Sequence, residues 1–323
     1  MVRFLDRLQQ RNSTVSVAVA VIYKYLDDQG GYLAALITYY AFVSLFPMLL
    51  LLTTGLGVVL AGRPDLQRQV LHSTLSQFPV IGSQLHQPEG LSGGTVAIVV
   101  GILGAFYGGL GVGQAVQNAM DSVWAVPKHK RPNPIRSRLR SALLLLVLGS
   151  AAIAATVLSG IGQTTATLGV FGKIGVGLSA MTINALICLV AFRVTTAREL
   201  TYRQVLPGAV AAAIIWQILQ LFGAGYIQHT VKTASATNSI FALVLGLLAF
   251  LYLVSATLVI CAEINVVLAE RLYPRALLGG LSDDAELTAA DRRVYTQRAK
   301  AERVKPLERV SVTFDNANPS VTP

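Results

Sequence analysis

Charged residues are scarce in this 323-residue sequence: 13% of its residues are Asp, Glu, Lys or Arg, and 53% are hydrophobic. Soluble domains carry about 25% charged residues, so a water-soluble globular fold is excluded for most of the chain. Cysteine is also rare. Its two cysteines, Cys188 and Cys261, both lie in apolar segments, so we expect no structural disulfide, metal site or cofactor.

The few charged residues leave long runs of the sequence without any charge. Seven windows of at least 18 residues contain no Asp, Glu, Lys or Arg, and one of them, residues 69–88, is rich in Gln, His and Ser. The other six are apolar and meet the requirement of about 20 residues for crossing a bilayer. The sequence therefore predicts an all-α integral membrane protein with six transmembrane helices, over residues 33–60, 93–116, 139–161, 174–194, 204–225 and 239–266.

The distribution of basic residues predicts the orientation of these spans. All but four of the 26 Lys and Arg residues fall on segments that would share one side of the membrane, and the four others are Arg63, Arg68, Lys173 and Lys232. Basic loops stay cytoplasmic, so both termini are predicted on the cytoplasmic side of the membrane. The net charge of +10 then reflects orientation and contact with anionic lipid headgroups rather than RNA, and we expect no nucleic acid partner.

Three regions are predicted. Residues 1–30 form a cytoplasmic interfacial segment with a short helix over 14–27, residues 31–270 hold the six spans, and residues 271–323 form a polar cytoplasmic tail that is partly disordered, above all over 307–323. Within the tail, Thr288 and Asp291 have the spacing of a capping box for a helix over 289–304. Apolar residues at helical spacing after span one predict an amphipathic helix on the outer surface: Leu66, Val70, Leu71, Leu75 and Phe78.

Glycines recur at helical spacing in the second span, "GILGAFYGGLGVGQ". The pairs Gly104/Gly108 and Gly109/Gly113 each fit the small-xxx-small pattern that lets membrane helices approach closely. A dinucleotide-binding loop has similar glycines, but it needs a preceding strand, which this hydrophobic segment does not offer. We therefore predict helix packing at these glycines.

Polar residues inside the spans fall at a similar depth, near the cytoplasmic ends. We predict that they line a cavity open to the cytoplasm, because polar groups in hydrocarbon need partners. The candidates are Tyr39, Tyr40, Ser44, Pro47, Gln114, Gln117, Asn118, Arg193, Glu263 and Asn265.

Glu263 is the most informative of these candidates because it is the only acidic residue within the predicted spans. It could bind a cationic group, exchange a proton, or pair with Arg193 as a gate. Simpler alternatives remain open: Glu263 at the headgroup boundary, Tyr39 and Tyr40 as interfacial aromatics, and Pro47 as a packing kink rather than a hinge.

Four stretches resemble the YihY/BrkB family of bacterial inner-membrane proteins, formerly mislabelled as ribonuclease BN-like: "ALITYYAFVSLFPMLLLL", "QAVQNAMDSVWAV", "VLPGAVAAAIIWQILQLFGAGY" and "LAFLYLVSATLVICAEIN". The resemblance covers most of residues 14–270 and implies a six-helix inner-membrane fold. The matching positions are Tyr39, Tyr40, Ser44, Phe46, Pro47, Asn118, Trp124, Pro207, Gly208, Ala209, Trp216, Tyr252, Glu263 and Asn265. "NAMDSVW" departs from the family pattern, which weakens any specific role for Asn118.

The resemblance and the polar residues together predict a transporter, exporter or binder of a lipid-like envelope amphiphile, with membrane lipids as partners. The alternatives are a non-transporting envelope-assembly protein and a membrane-bound ribonuclease. We expect no enzyme, because metal-dependent hydrolysis needs clustered carboxylates or histidines and no soluble domain is predicted to hold them.

Overall fold

The chain is helical wherever regular secondary structure is described in the computed structural model, which covers residues 12–59, 95–145, 149, 169–233, 236–276 and 287–314. Its helices are α1 (Ser13–Asp27), α2 (Gly30–Val59), α3 (Thr95–Val123), α4 (residues 134–145), α5 (Gly169–Thr195), α6 (Tyr202–Thr233), α7 (Ala236–Glu270) and α8 (Ala289–Ala301). No strand occurs within these residues. The all-α fold class is confirmed.

The predicted spans coincide with long helices. Five of them fall almost entirely within α2, α3, α5, α6 and α7, and α4 is described only over the start of the third. Two stretches, Gly177–Thr195 and Val244–Glu270, are long and apolar enough to cross a membrane among the described residues. Six spans with both termini inside remains a prediction, and the amphipathic helix over 66–78 lies outside the described residues.

The first glycine pair in α3 forms a close-packed seam with α2. A Cβ atom on Gly108 would lie 2.6 Å from the Ser44 Cα, and one on Gly104 would lie 2.7 Å from the Pro47 Cγ. Real Cβ atoms do not come this close, so the two backbones approach only because these residues are glycine. Ser44 and Pro47 of α2 therefore face α3.

The second glycine pair serves the other side of α3. A Cβ on Gly113 would lie 2.6 Å from the Ser141 Cβ, and one on Gly109 would lie 2.9 Å from Leu145 Cδ1. Both partners belong to α4. The two pairs thus let α3 pack closely between α2 and α4, and the predicted packing role of these glycines is confirmed.

The helix in the tail begins as predicted and ends earlier. The Thr288 side chain accepts a hydrogen bond from the Asp291 backbone, and the Asp291 side chain accepts one from the Thr288 backbone, which completes the capping box. The helix ends at Ala301 instead of residue 304. After Ala301 the chain tightens into i→i−3 turns, in which the Glu302 N–H donates to the Ala299 carbonyl and the Arg303 N–H to the Lys300 carbonyl.

Candidate functional site

One lysine of α1 points into the protein. Lys24 is buried, whereas Ile22 and Leu26 on the same helix are 59% and 66% exposed. A helix on the surface of a soluble protein shows the reverse pattern, with charge outside and apolar groups inside. The Lys24 ammonium must therefore find its partners within the protein.

Three oxygen atoms from three parts of the chain surround the Lys24 ammonium. Its Nζ donates to the Asp28 carboxylate and, at 2.9 Å, to the Val123 carbonyl oxygen at the end of α3. It also lies 3.2 Å from Oε2 of Glu263 on α7. Burial by itself lowers the pKa of Lys24, but the attraction of Glu263 and Asp28 outweighs burial and raises it. We refer to Lys24, Asp28 and Glu263 as the buried ion cluster.

Glu263 is the least well solvated member of the buried ion cluster. Its side chain is completely buried, and neither of its carboxylate oxygens has a hydrogen-bond donor among the described residues. The contact with Lys24 is an ion pair by distance. A buried carboxylate with a single cationic neighbour and no donors is costly, so this arrangement calls for a functional explanation.

The helix α6 reaches the same region through its glycine. The Gly208 backbone N–H donates to Oδ1 of Asn265 at 2.6 Å, and a Cβ on Gly208 would lie 2.1 Å from the Cys261 carbonyl oxygen. Asn265 is fully buried, and its Nδ2 has no acceptor within the described residues. The "LPGA" stretch of α6 and the "AEIN" stretch of α7 thus pack against each other.

A tight turn after α1 and two tyrosines, Tyr25 and Tyr252, lie next to the buried ion cluster. Gln29 joins α1 to α2 with a positive φ of 56°, and a Cβ on Gly30 would lie 2.2 Å from the Tyr25 ring. Burial and the interaction with Tyr252 raise the pKa of Tyr25 to about 12. Tyr25 therefore stays neutral at physiological pH while facing Glu263.

A second ion cluster lies beside the first and anchors the tail. Arg275 is buried, donates to Asp27 Oδ2 at 2.8 Å, and also pairs with Asp291. Asp291 accepts further hydrogen bonds from the backbone N–H groups of Ala276, at 2.8 Å, and Thr288, at 3.0 Å. Asp27 and Asp28 are adjacent, so the turn after α1 connects both clusters.

The ten predicted site residues occupy different environments. Tyr40, Ser44 and Pro47 lie in the seam against the glycines of α3. The buried Gln117 donates to Ser141 Oγ at 2.8 Å and ties α3 to α4. Only Glu263 and Asn265 belong to the buried polar region described above.

The remaining candidates are more exposed. Tyr39 is 59% exposed and makes an edge contact with Tyr40, at 5.3 Å between ring centroids. Asn118 is exposed and accepts from Arg131, and Gln114 is half-buried. The ten candidate residues therefore lie in several different environments among the described residues. A single cavity shared by all of them stays a prediction.

The partner of Glu263 differs from the expected one. Arg193 is exposed, and its guanidinium lies over the Tyr202 ring at 4.1 Å from the centroid, whereas Lys24 pairs with Glu263. Arg193 lies in the last turn of α5 and contacts Tyr202 at the start of α6, while Lys24 lies on a helix outside the predicted spans. Of the alternatives for Glu263, pairing with Arg193 is therefore not the arrangement that the structure shows.

Sequence reasoning missed Lys24, Asp28 and Asp121. Lys24 and Asp28 are one helical turn apart in "YKYLDD", a signal that was available but is common on surface helices. Asp121 is buried and accepts from the Ala197 backbone N–H at 2.7 Å, which holds the loop after α5. Only the burial of Lys24 and Asp121 in the structure distinguishes these residues from ordinary surface charges.

The long apolar helices, two of them apolar enough to cross a membrane among the described residues, point to a helical membrane protein. The family model for the virulence factor BrkB matches residues 21–284, and the chain belongs to this family. The match includes Lys24, Asp28 and Glu263 and stops before α8. Searches of curated proteins and of solved structures found no match.

Proposed function

We propose that this BrkB-family membrane protein spans the bacterial inner membrane six times and moves or binds a lipid-like envelope amphiphile from its cytoplasmic side. The buried ion cluster is its polar site, and α1 is the cover over that site. The observation that carries the proposal is the completely buried Glu263 with Lys24 as its ionic partner.

The energetic cost of the cluster supports a functional role. Well-packed apolar residues replace a buried ion pair without loss of stability in many proteins, because desolvation offsets the attraction between the charges. Acidic residues within membrane spans therefore mark functional sites by default. The two carboxylate oxygens of Glu263 without donors in the described chain strengthen this argument.

The position of α1 supports its role as a cover. Ile22 and Leu26 face outward from α1 and offer an apolar surface to lipid, whereas Lys24 faces inward. Its link to α2 is a turn at Asp28 and Gln29. A displacement of α1 would carry Lys24 away from Glu263 and open a polar site beside the acyl-chain region, which suits an amphiphile.

Exposed basic groups at the same end favour an anionic headgroup. The Arg198 side chain is 47% exposed, pairs with Glu270 at the end of α7, and lies near the start of α6. Arg193 is exposed beside Tyr202. An ion pathway, in contrast, would need polar groups along the whole depth of the membrane.

The topology is tested by labelling a single cysteine. In a variant with Lys300→Cys, Cys188→Ser and Cys261→Ser, we expect a membrane-impermeant maleimide to leave residue 300 unlabelled in intact cells and to label it after the cells are opened. Lys300 is exposed on α8, so access within the protein is not limiting. Strong labelling in intact cells would contradict a cytoplasmic C-terminus.

Transport is tested with purified protein in vesicles. We expect movement of a fluorescent phosphatidylglycerol between leaflets, and we expect Glu263→Gln to slow it at least about tenfold, which corresponds to about 1.4 kcal/mol. The matched control is Glu302→Gln, which changes an exposed acid of the tail. No movement above that of empty vesicles would contradict transport of this lipid class.

An assembly role is the second candidate, and the docked tail favours it. The tail contacts the rest of the chain through Arg275, which donates to Asp27 at 2.8 Å, and through Gln297, which donates to Glu270 at 2.7 Å. An assembly protein should depend on residues 276–323 and tolerate Glu263→Gln, whereas a transporter should show the opposite dependence. We propose no catalytic activity; RNA turnover that co-purifies with the protein and disappears in Glu263→Gln would contradict this.

A further inference from the structure

We propose that the buried ion cluster binds one exchangeable proton, shared between the carboxyl groups of Asp28 and Glu263. The inference concerns a binding site and deepens the proposed function by naming the cation that the site takes up. It starts from the charges: one ammonium, Lys24, lies against two carboxylates.

The buried ion cluster contains two acids and one base. With both acids ionised, the cluster carries one uncompensated negative charge in a region where the Lys24 and Glu263 side chains are 4% and 0% exposed. Burying a net charge costs several kcal/mol, and two carboxylates that share a site do not both ionise readily. Binding one proton makes the cluster neutral.

The described surroundings of Glu263 offer no second cation. Glu263 faces Lys24, Asp28 and Tyr25 from α1, and the Val123 carbonyl of α3 is taken by Lys24. From α6 the Gly208 N–H donates to Asn265 instead of Glu263. Tyr25 is neutral near physiological pH, so Lys24 provides the one positive charge of this arrangement among the described residues.

The neighbouring cluster has the same charges but more hydrogen-bond donors. Arg275 also lies between two carboxylates, Asp27 and Asp291. Asp291 accepts hydrogen bonds from the backbone N–H groups of Ala276 and Thr288, whereas Glu263 has no such donors in the described chain. The two sites differ in donors, and the proton therefore belongs to the cluster of Glu263.

A proton fits this site better than a metal ion. Hard cations need about six oxygen ligands, and no group of three or more His, Cys, Asp or Glu side chains comes together within the part of the chain that is described. Lys24 already provides the positive charge that both acids contact. The Asp28 side chain is 10% exposed, which gives the proton a route from the cytoplasmic side.

Infrared spectroscopy of the purified full-length protein tests the proposal. We expect the carbonyl band of a protonated carboxylic acid at neutral pH, shifted in heavy water and lost as the pH is raised. The band should disappear in Glu263→Gln and also in Asp28→Asn, because either change leaves one carboxylate paired with Lys24 and no excess charge. Glu302→Gln should retain the band.

Two results would overturn the shared proton. One is the absence of the band from the unmodified protein at neutral pH. The other is a band that persists in Asp28→Asn, which would show an acid protonated by burial alone. Asp28→Asn decides the question even if Glu263→Gln fails to fold, since the Asp28 side chain is 10% exposed and that of Glu263 is 0% exposed. The band does not depend on transport, so a normal band without lipid movement would contradict the proposed function and leave the proton site standing.

Discussion

Gly208→Ala is expected to destabilise the protein by at least about 3 kcal/mol, the upper range for overpacking a filled core. The added Cβ would lie 2.1 Å from the Cys261 carbonyl oxygen and 2.5 Å from Nδ2 of Asn265. The nearest atom belongs to the backbone of α7, so a change of side-chain rotamer cannot relieve the contact. The helices must separate, and the hydrogen bond from Gly208 to Asn265 is lost with them.

The measurement is thermal or denaturant unfolding of the purified protein in detergent. Gly175→Ala is the matched control, because a Cβ there meets nothing within 4 Å and glycine in a helix interior is less favourable than alanine by about 0.5–1 kcal/mol. Gly175→Ala should therefore be neutral or slightly stabilising. Equal unfolding midpoints for the two variants would show that α6 and α7 do not depend on this close approach.

Lys24→Met is expected to lower the free energy of unfolding by about 3–5 kcal/mol, the typical cost of removing one partner of a buried ion pair. The change leaves Glu263 and Asp28 buried together without a cation. It also leaves the Val123 carbonyl oxygen without the donor that lies 2.9 Å away. Glu263→Gln should cost less, because Lys24 keeps its contact with Asp28.

A double-mutant cycle separates the pair from its surroundings. The variant with both Lys24→Met and Glu263→Gln should be more stable than Lys24→Met alone, because the unpaired carboxylate has been removed. Lys128→Met is the control: the Lys128 and Glu302 side chains are 47% and 68% exposed, and exposed pairs contribute about 0–1 kcal/mol. Strict additivity in the cycle would show that Lys24 and Glu263 act independently.

The ion cluster illustrates why a site is harder to predict than a fold. Glu263 stands out in the sequence because it is an acid in an apolar run, and its importance follows from the cost of charge in hydrocarbon. Lys24 does not stand out, since it lies in a short helix that ends in charges. Which cation meets Glu263 depends on how α1 packs against α7, and sequence order carries no direct record of that contact.

Tyr40, Ser44 and Pro47 also have surroundings that the sequence did not predict. Their polar or irregular chemistry suggested a cavity, yet the structure packs them against glycines of α3. Small residues at spacing four predicted a close helix contact but did not identify the partner. A glycine groove accepts whichever helix face fits it, so only the assembled structure assigns that face to α2.

The sequence by itself determined the helical class, the approximate helix positions, the packing role of the α3 glycines and the capping box of α8. These follow from local rules: apolar runs of bilayer length, small residues at spacing four, and a cap at fixed spacing. Only the tertiary structure decided that Lys24 pairs with Glu263 and that Arg275 links the tail to Asp27. Ion pairs between distant residues depend on burial and distance, and both arise only when the helices have come together.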